Sequence, residues 1–182
     1  TVSVDLLVKK QGNKLRQQLD GNMNGKSMTL QKKVFDGAKG YEEAQGQKHE
    51  LDAAEIADTR QEADLQGELH ASVYGIKRTL KGIETIEGAD AYMVEAVDAN
   101  NKKTVEYYDA KSGMLVRQTK FEKDPQGNEM SQSTDFSDYR EVPGTNGYKV
   151  PYFMSVPAGG ISFNLKVQSV DVNKGVPDTE FK

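Results

Sequence analysis

Cysteine and tryptophan are absent from this 182-residue sequence, which has only two histidines and five prolines. Without cysteine, the chain can form neither a disulfide framework nor a thiolate metal site or nucleophile. Its apolar runs span a few residues, far short of the roughly 20 that a membrane-spanning helix needs. A formal charge of −4 lacks the basic footprint that binding to a phosphate backbone requires. Nucleic acid is therefore not an expected partner.

Alternating polar and apolar residues dominate the sequence, beginning with Val2, Val4, Leu6 and Val8. This period of two predicts half-buried strands, and the Gly-, Asn- and Asp-rich turns between them are three to five residues long. Turns this short join antiparallel strands, because a parallel crossover needs a dozen residues or more. Later strands are predicted at 76–86, with a possible bulge at Gly82, and at 92–97, 104–108, 114–121, 130–142, 148–156 and 161–172. We expect a mainly β (α+β) fold, in which a curved antiparallel sheet forms an incomplete β-barrel.

One helix is predicted at about 49–66, where Ala, Glu, Leu and Gln are frequent and Pro and Gly are absent until Gly67. Its apolar positions form a narrow stripe on an acidic helix. They are Leu51, Ala54, Ile56, Ala57 and Leu65. We expect this helix to lie on the concave face of the sheet with its other side in water.

Several motifs suggest chemistry that their context does not support. The segment 21–27 (GNMNGKS) is one residue short of a phosphate-binding loop and leads into a strand rather than a helix. His49-Glu50 begins a zinc-peptidase pattern, but Ala53 stands where the second histidine would be. The acidic residues at 52, 55, 58, 62 and 64 are better explained as a solvated helix face. The turn at 124–129 lacks the ligand order of a calcium loop.

No serine lies in a GxSxG motif, and no motif supports a triad with His49 or His70. We therefore predict no catalytic residues, no metal site and no cofactor. What remains is a binding domain, since a curved sheet with one apolar face can bury an acyl chain at about 0.8 kcal/mol per CH₂. The predicted hydrophobic ligand site comprises Met28, Leu30, Val34, Leu51, Ile56, Ile161, Phe163, Leu165 and Val167. The alternative interpretation of these residues is ordinary core packing.

Several segments follow one another in the order found in LolA/LolB-like domains, the lipoprotein-carrier-like domains of the Gram-negative cell envelope. They are 34–37 (VFDG), 40–41 (GY), 46–48 (GQK), 80–84 (LKGIE), 90–95 (DAYMVE), 107–117 (YYDAKSGMLVR), 136–142 (FSDYREV) and 172–181 (VNKGVPDTEF). The chain resembles in particular the version that follows insulinase-type zinc peptidase domains. That resemblance implies an incomplete β-barrel with helices on its concave face.

The resemblance also implies a location and a set of partners. Residues 1–182 would form one LolA/LolB-like domain that lacks the family's usual opening helix, as in a fragment of a longer protein. The expected location is the periplasm or cell envelope, and the expected role is non-enzymatic binding of a lipid or acyl chain. The alternative is an accessory substrate-capture or interaction domain, with a zinc peptidase domain of the same polypeptide as its partner. The sequence does not predict an oligomeric state.

Overall fold

A computed structural model describes residues 3–23, 26–123, 126–158 and 161–182. The segment 21–27, the predicted turn at 124–129 and Val2 of the predicted first strand lie partly or wholly outside these residues. Contacts divide the chain into two compact units. The first contains Thr1–His70 and Lys174–Lys182, and the second contains Ala71–Asn173.

The first unit is built on a five-stranded antiparallel sheet whose strand order follows the chain. Its strands are β1 (Ser3–Gln11), β2 (Lys14–Met23), β3 (Lys26–Phe35), β4 (Gly40–Ala44) and β5 (Gln47–Glu50). The helix α1 (Ala53–Ala63) follows, and a short 3-10 helix (Asp178–Phe181) returns to this unit near the end of the chain. Short turns connect successive strands, which is why each strand pairs with its sequence neighbour.

The second unit contains a seven-stranded antiparallel sheet, also in chain order. Its strands are β6 (Lys77–Ile86), β7 (Ala89–Val97), β8 (Lys103–Asp109), β9 (Leu115–Lys123), β10 (Glu129–Glu141), β11 (Lys149–Ala158) and β12 (Ile161–Lys166). The predicted mainly β fold with one principal helix is confirmed. The strands fall into two open sheets, and neither closes into a barrel among the described residues. The last strand ends at Lys166, earlier than the predicted 172.

Helix α1 is shorter than predicted because its start is set by a capping box. Asp52 Oδ1 accepts hydrogen bonds from the backbone N–H groups of Ala54 and Glu55, and the Glu55 side chain accepts from the Asp52 N–H. These bonds satisfy N–H groups that have no partner within the helix. The residues before the cap, from Gln47, form strand β5 instead. The helix ends at Ala63, because Asp64 is already extended.

The two faces of the five-stranded sheet are covered by different elements. Leu15, Phe35 and Ala63 form a fully buried cluster against which Ile56 packs, so α1 lies on this face. On the opposite face, the 3-10 helix buries Phe181. Three ion pairs hold it there: Lys9–Glu180 at 3.0 Å, Arg16–Glu180 at 2.6 Å and Lys14–Asp178 at 2.6 Å.

Candidate ligand-binding face

An unusually exposed set of apolar side chains lies on one face of the seven-stranded sheet. Directly paired residues point to the same side of a sheet, and alternation carries that side along each strand. The registers therefore place the following residues together, which we call the apolar face. They are Leu80 and Ile83 of β6, Tyr92 and Val94 of β7, Tyr108 of β8, Phe136 of β10, Met154 and Val156 of β11, and Phe163 and Leu165 of β12.

A bulge in β6 maintains this face at the edge of the sheet. The pairing shifts between Leu80 and Gly82, so that Leu80 pairs with Val94 and Ile83 with Tyr92. Without the extra residue, strict alternation would turn Ile83 away from Leu80. Gly82 has a φ of +156°, which a residue with a side chain rarely adopts. The bulge predicted there from the sequence is confirmed.

The apolar face is open to water over much of its extent. Leu80, Ile83 and Phe163 keep 62%, 61% and 60% of their surface exposed, and Tyr92 keeps 41%. Val94, Tyr108, Met154 and the other members are half-buried. Contiguous exposed apolar side chains of this kind mark binding surfaces far more often than isolated ones do.

The predicted site residues at the end of the chain belong to this face. Phe163 pairs with Val156 and Leu165 with Met154, so the predicted alternation along 161–165 is present. The backbone of Ile161 follows the same alternation, although its side chain lies outside the described residues. Val167 lies just beyond β12 and is half-buried, and its N–H donates to the Tyr152 carbonyl.

The other predicted site residues lie in the first unit, and a bulge separates them. Leu19 pairs with Gln31 but Asp20 with Thr29, so Leu30 is the extra residue. Met28 pairs with Gly21 on the α1 side of the sheet, and Leu30 Cδ1 lies 2.9 Å from the position of a Cβ on Gly21. Met28 is 60% exposed and Leu30 half-buried.

Val34 points to the other side. It pairs with Arg16 and Tyr41, the residues that face the 3-10 helix, and it is 2% exposed. Leu51 and Ile56 lie on the α1 side, where Leu51 approaches Gly40 and Phe35. Val34 therefore lies on the opposite side of the sheet from Leu51 and Ile56, although all three were predicted to belong to one site, because the bulge interrupts strict alternation across 28–34.

The sequence interpretation missed much of the apolar face. Leu80, Ile83 and Tyr92 were assigned to strands but not to the site, because Gly82 breaks the alternation that would have linked Leu80 and Ile83. Met154 and Val156 alternate within a predicted strand, and this signal could have identified them. Their position beside Phe163 depends on the β11–β12 register, which sequence alone does not fix.

A buried ion pair adjoins the apolar face. Glu106 of β8 is only 4% exposed. Its Oε2 accepts hydrogen bonds from Arg78 Nε at 3.0 Å and from the Tyr108 hydroxyl at 2.9 Å. A buried carboxylate is costly unless it is paired and hydrogen-bonded, and these two donors meet that requirement. The sequence interpretation did not identify this network.

A shallow recess lies in the first unit beside the start of α1. It encloses about 290 Å³ and is lined by Glu42, Ala44, Gln47, His49 and Glu55. His49 Nε2 lies 2.9 Å from Glu55 Oε2. That hydrogen bond, together with the negative charge of Glu55, raises the pKa of His49. The pKa of Glu55 is lowered chiefly by the hydrogen bond that it accepts from the Asp52 N–H, and to a smaller extent by its hydrogen bond with His49.

Two features are absent from the described residues. No three His, Asp or Glu side chains among them cluster as a metal-binding group would. None of the helices in the described ranges combines the length and the hydropathy that crossing a bilayer requires.

Known structures share this arrangement of strands and helix. One, described as an outer membrane lipoprotein-sorting protein domain from Vibrio parahaemolyticus, aligns with a TM-score of 0.55 at 12% identity. The alignment covers 99% of this chain and 88% of that one. A LolA superfamily protein from Nitrosomonas europaea aligns with a TM-score of 0.53 at 12% identity, over 100% of this chain and 87% of that one. This chain has a LolA-like fold.

A third alignment is to a DUF1329 family protein from Desulfovibrio piger. Its TM-score is 0.54 at 14% identity, over 100% of this chain and 86% of that one. No protein-family model and no curated protein matches the sequence. The predicted LolA/LolB resemblance is thus confirmed for the fold, whereas the association with a peptidase and the extent of the domain stay predictions.

Proposed function

We propose that this chain is a non-enzymatic cell-envelope domain that binds an acyl chain or another hydrophobic ligand on the apolar face. The observation that carries the proposal is the exposure of Leu80, Ile83 and Phe163, each at 60% or more, on the same face of the seven-stranded sheet. Covering such side chains with hydrocarbon is favourable by about 25 cal/mol per Å². The fold shared with a lipoprotein-sorting domain supports a carrier-like role and an envelope location.

The middle of the proposed site is formed by half-buried side chains. Val94, Tyr108, Phe136 and Met154 lie between the two exposed ends of the face. An acyl chain lying across the strands would contact several neighbouring strands in succession. Seven strands spaced about 4.8 Å apart span roughly 29 Å, which exceeds the length of a single C16 chain. A single C16 chain therefore fits on the proposed face without reaching both of its edges.

Binding of a fluorescent acyl probe tests the proposal. Phe163→Ala removes a large contact from the face and should weaken probe binding by about tenfold, the equivalent of about 1.4 kcal/mol. Asn164→Ala is the matched control, because Asn164 neighbours Phe163 but points to the opposite side of β12. Loss of binding in both variants, or in neither, would contradict the assignment of the site to this face.

A further inference from the structure

The apolar face has a polar boundary made of residues from four neighbouring strands. Arg78 of β6 pairs with Ala96 of β7, Ala96 with Thr104 of β8, and Thr104 with Lys120 of β9. All four residues point to the same side as the apolar face, and we call the three polar ones, Arg78, Thr104 and Lys120, the polar row. Leu80, Val94, Glu106 and Gln118 form the next row inward. The surface thus changes from polar to apolar within two residues along β6, where Arg78 is followed by Leu80.

Arg78 reaches across the sheet rather than standing over its own strand. Its Nε lies 3.0 Å from Glu106 Oε2, and Glu106 is on β8, two strands away. Ala96, between them and 6% exposed, has a side chain small enough for the arginine to cross β7. Thr104 precedes Glu106 by two residues on β8 and pairs with Ala96 on one side and with Lys120 of β9 on the other. Arg78 and Lys120 thus belong to strands on opposite sides of the half-buried Thr104.

Two positively charged side chains, Arg78 and Lys120, lie at this boundary. The Glu106 side chain is 5% exposed, whereas that of Arg78 is 25% exposed and Lys120 is an exposed residue. Lys120 takes part in no ion pair among the residues that the structure describes. The buried carboxylate orients the Arg78 guanidinium, and the boundary also carries the positive charge of Lys120. This arrangement complements an anionic group, since Arg and Lys are the side chains that bind carboxylates and phosphates.

We propose that the polar row binds the anionic head group, carboxylate or phosphate, of an amphiphile whose hydrocarbon chain lies on the apolar face. The inference rests on the proposed function and specifies its ligand class. Arg78 and Lys120 contact the head group, with the Thr104 hydroxyl between them. Glu106 is a positioning residue that holds the guanidinium over β8.

Competition against the fluorescent acyl probe compares three ligands of equal chain length: dodecanoate, dodecyl phosphate and dodecan-1-ol. At pH 8 both acids are ionised, so the ratio of anion to alcohol affinity reports the head group alone. We expect a ratio of about ten for at least one anion, falling as salt is added because exposed charges are screened. The larger of the two anion ratios identifies carboxylate or phosphate as the preferred group.

Variants separate the head-group site from the apolar face. Lys120→Gln should lower the anion-to-alcohol ratio by about threefold, and Lys166→Gln, the same change on the opposite side of β12, should leave it unaltered. Glu106→Gln should raise the ratio, because it removes a negative charge beside Arg78. A merely structural Glu106 would instead weaken anion and alcohol alike. Arg78→Gln should lower the ratio most, and Lys120→Gln provides the test if that variant does not fold.

The two proposals fail in different ways. Equal affinity for anion and alcohol, unaffected by Lys120→Gln, would overturn the head-group site and leave the acyl-binding face in place. If no ligand of the series displaces the probe and the probe itself does not bind, both proposals are overturned. An anion-to-alcohol ratio that Lys120→Gln lowers and Phe163→Ala leaves unaltered is the result expected when head group and hydrocarbon chain bind in separate parts of one site.

Discussion

Truncation of Phe163 tests whether the apolar face is a binding surface or part of the core. Fully burying a phenylalanine is worth about 1.5–3 kcal/mol, but Phe163 keeps 60% of its surface exposed. With only two fifths of that surface buried, Phe163→Ala should cost no more than about 1 kcal/mol of unfolding free energy. A phenylalanine in a filled core would cost about 3–5 kcal/mol.

Val105→Ala provides the matched comparison in the same sheet. Val105 is 8% exposed, and its truncation removes the equivalent of two methylenes at about 0.8 kcal/mol each and leaves a cavity. We expect a loss of about 2–3 kcal/mol. The smaller truncation should therefore destabilise the protein more than the larger one.

Urea denaturation followed by tyrosine fluorescence and far-ultraviolet circular dichroism measures both variants, since the chain lacks tryptophan. The midpoints should shift while the dependence of unfolding free energy on urea stays constant, which is the sign of a change in stability alone. Because both residues lie in Ala71–Asn173, they report on the same unit. A loss of 3–5 kcal/mol for Phe163→Ala would refute the interpretation of this face as exposed.

Three further predictions concern the first unit. Asp52→Ala removes the N-cap of α1 and should cost about 1 kcal/mol of stability in urea denaturation, whereas Asp52→Asn should cost much less; equal losses would argue against the cap. Phe181→Ala should cost about 3–5 kcal/mol, because Phe181 is 1% exposed, and a change below 1 kcal/mol would show that the 3-10 helix does not dock in solution. Glu55 raises the pKa of His49 in the folded protein. The contribution of this pair to the free energy of unfolding is therefore complete below the ordinary histidine pKa, and it is lost as the pH rises through the higher pKa of the folded protein. An NMR titration should therefore give His49 a raised pKa that Glu55→Gln brings down, and an unchanged value in that variant would disprove the pairing.

The architecture was accessible from sequence because it depends on local rules. Alternation at 161–165 and short polar turns dictate antiparallel neighbours, and they require only the two-residue repeat of a strand and the reach of a short connection. The helix was located for a similar reason, although its start required recognition of the capping box at Asp52 and Glu55. Its buried stripe of Ile56, Thr59 and Ala63 includes a threonine that a hydrophobicity pattern does not count.

The candidate site was only partly accessible, because its members come together through register. Phe163 and Leu165 were identified from their own strand. Leu80 and Ile83 join the same face only because the bulge at Gly82 shifts the pairing by one residue.

The sequence alone determined that this protein is a set of antiparallel hairpins with one capped helix, since neighbouring residues encode each of those features. Only the tertiary structure decided which side each residue faces. The bulge at Leu30 sends Met28 and Val34 to opposite sides of one sheet. Pairing across β6–β8 brings Arg78 to Glu106, 28 residues away in the chain. A strand carries its alternation in its own sequence, but a bulge and a cross-strand pair depend on the partner strand, and that partner is fixed only on folding.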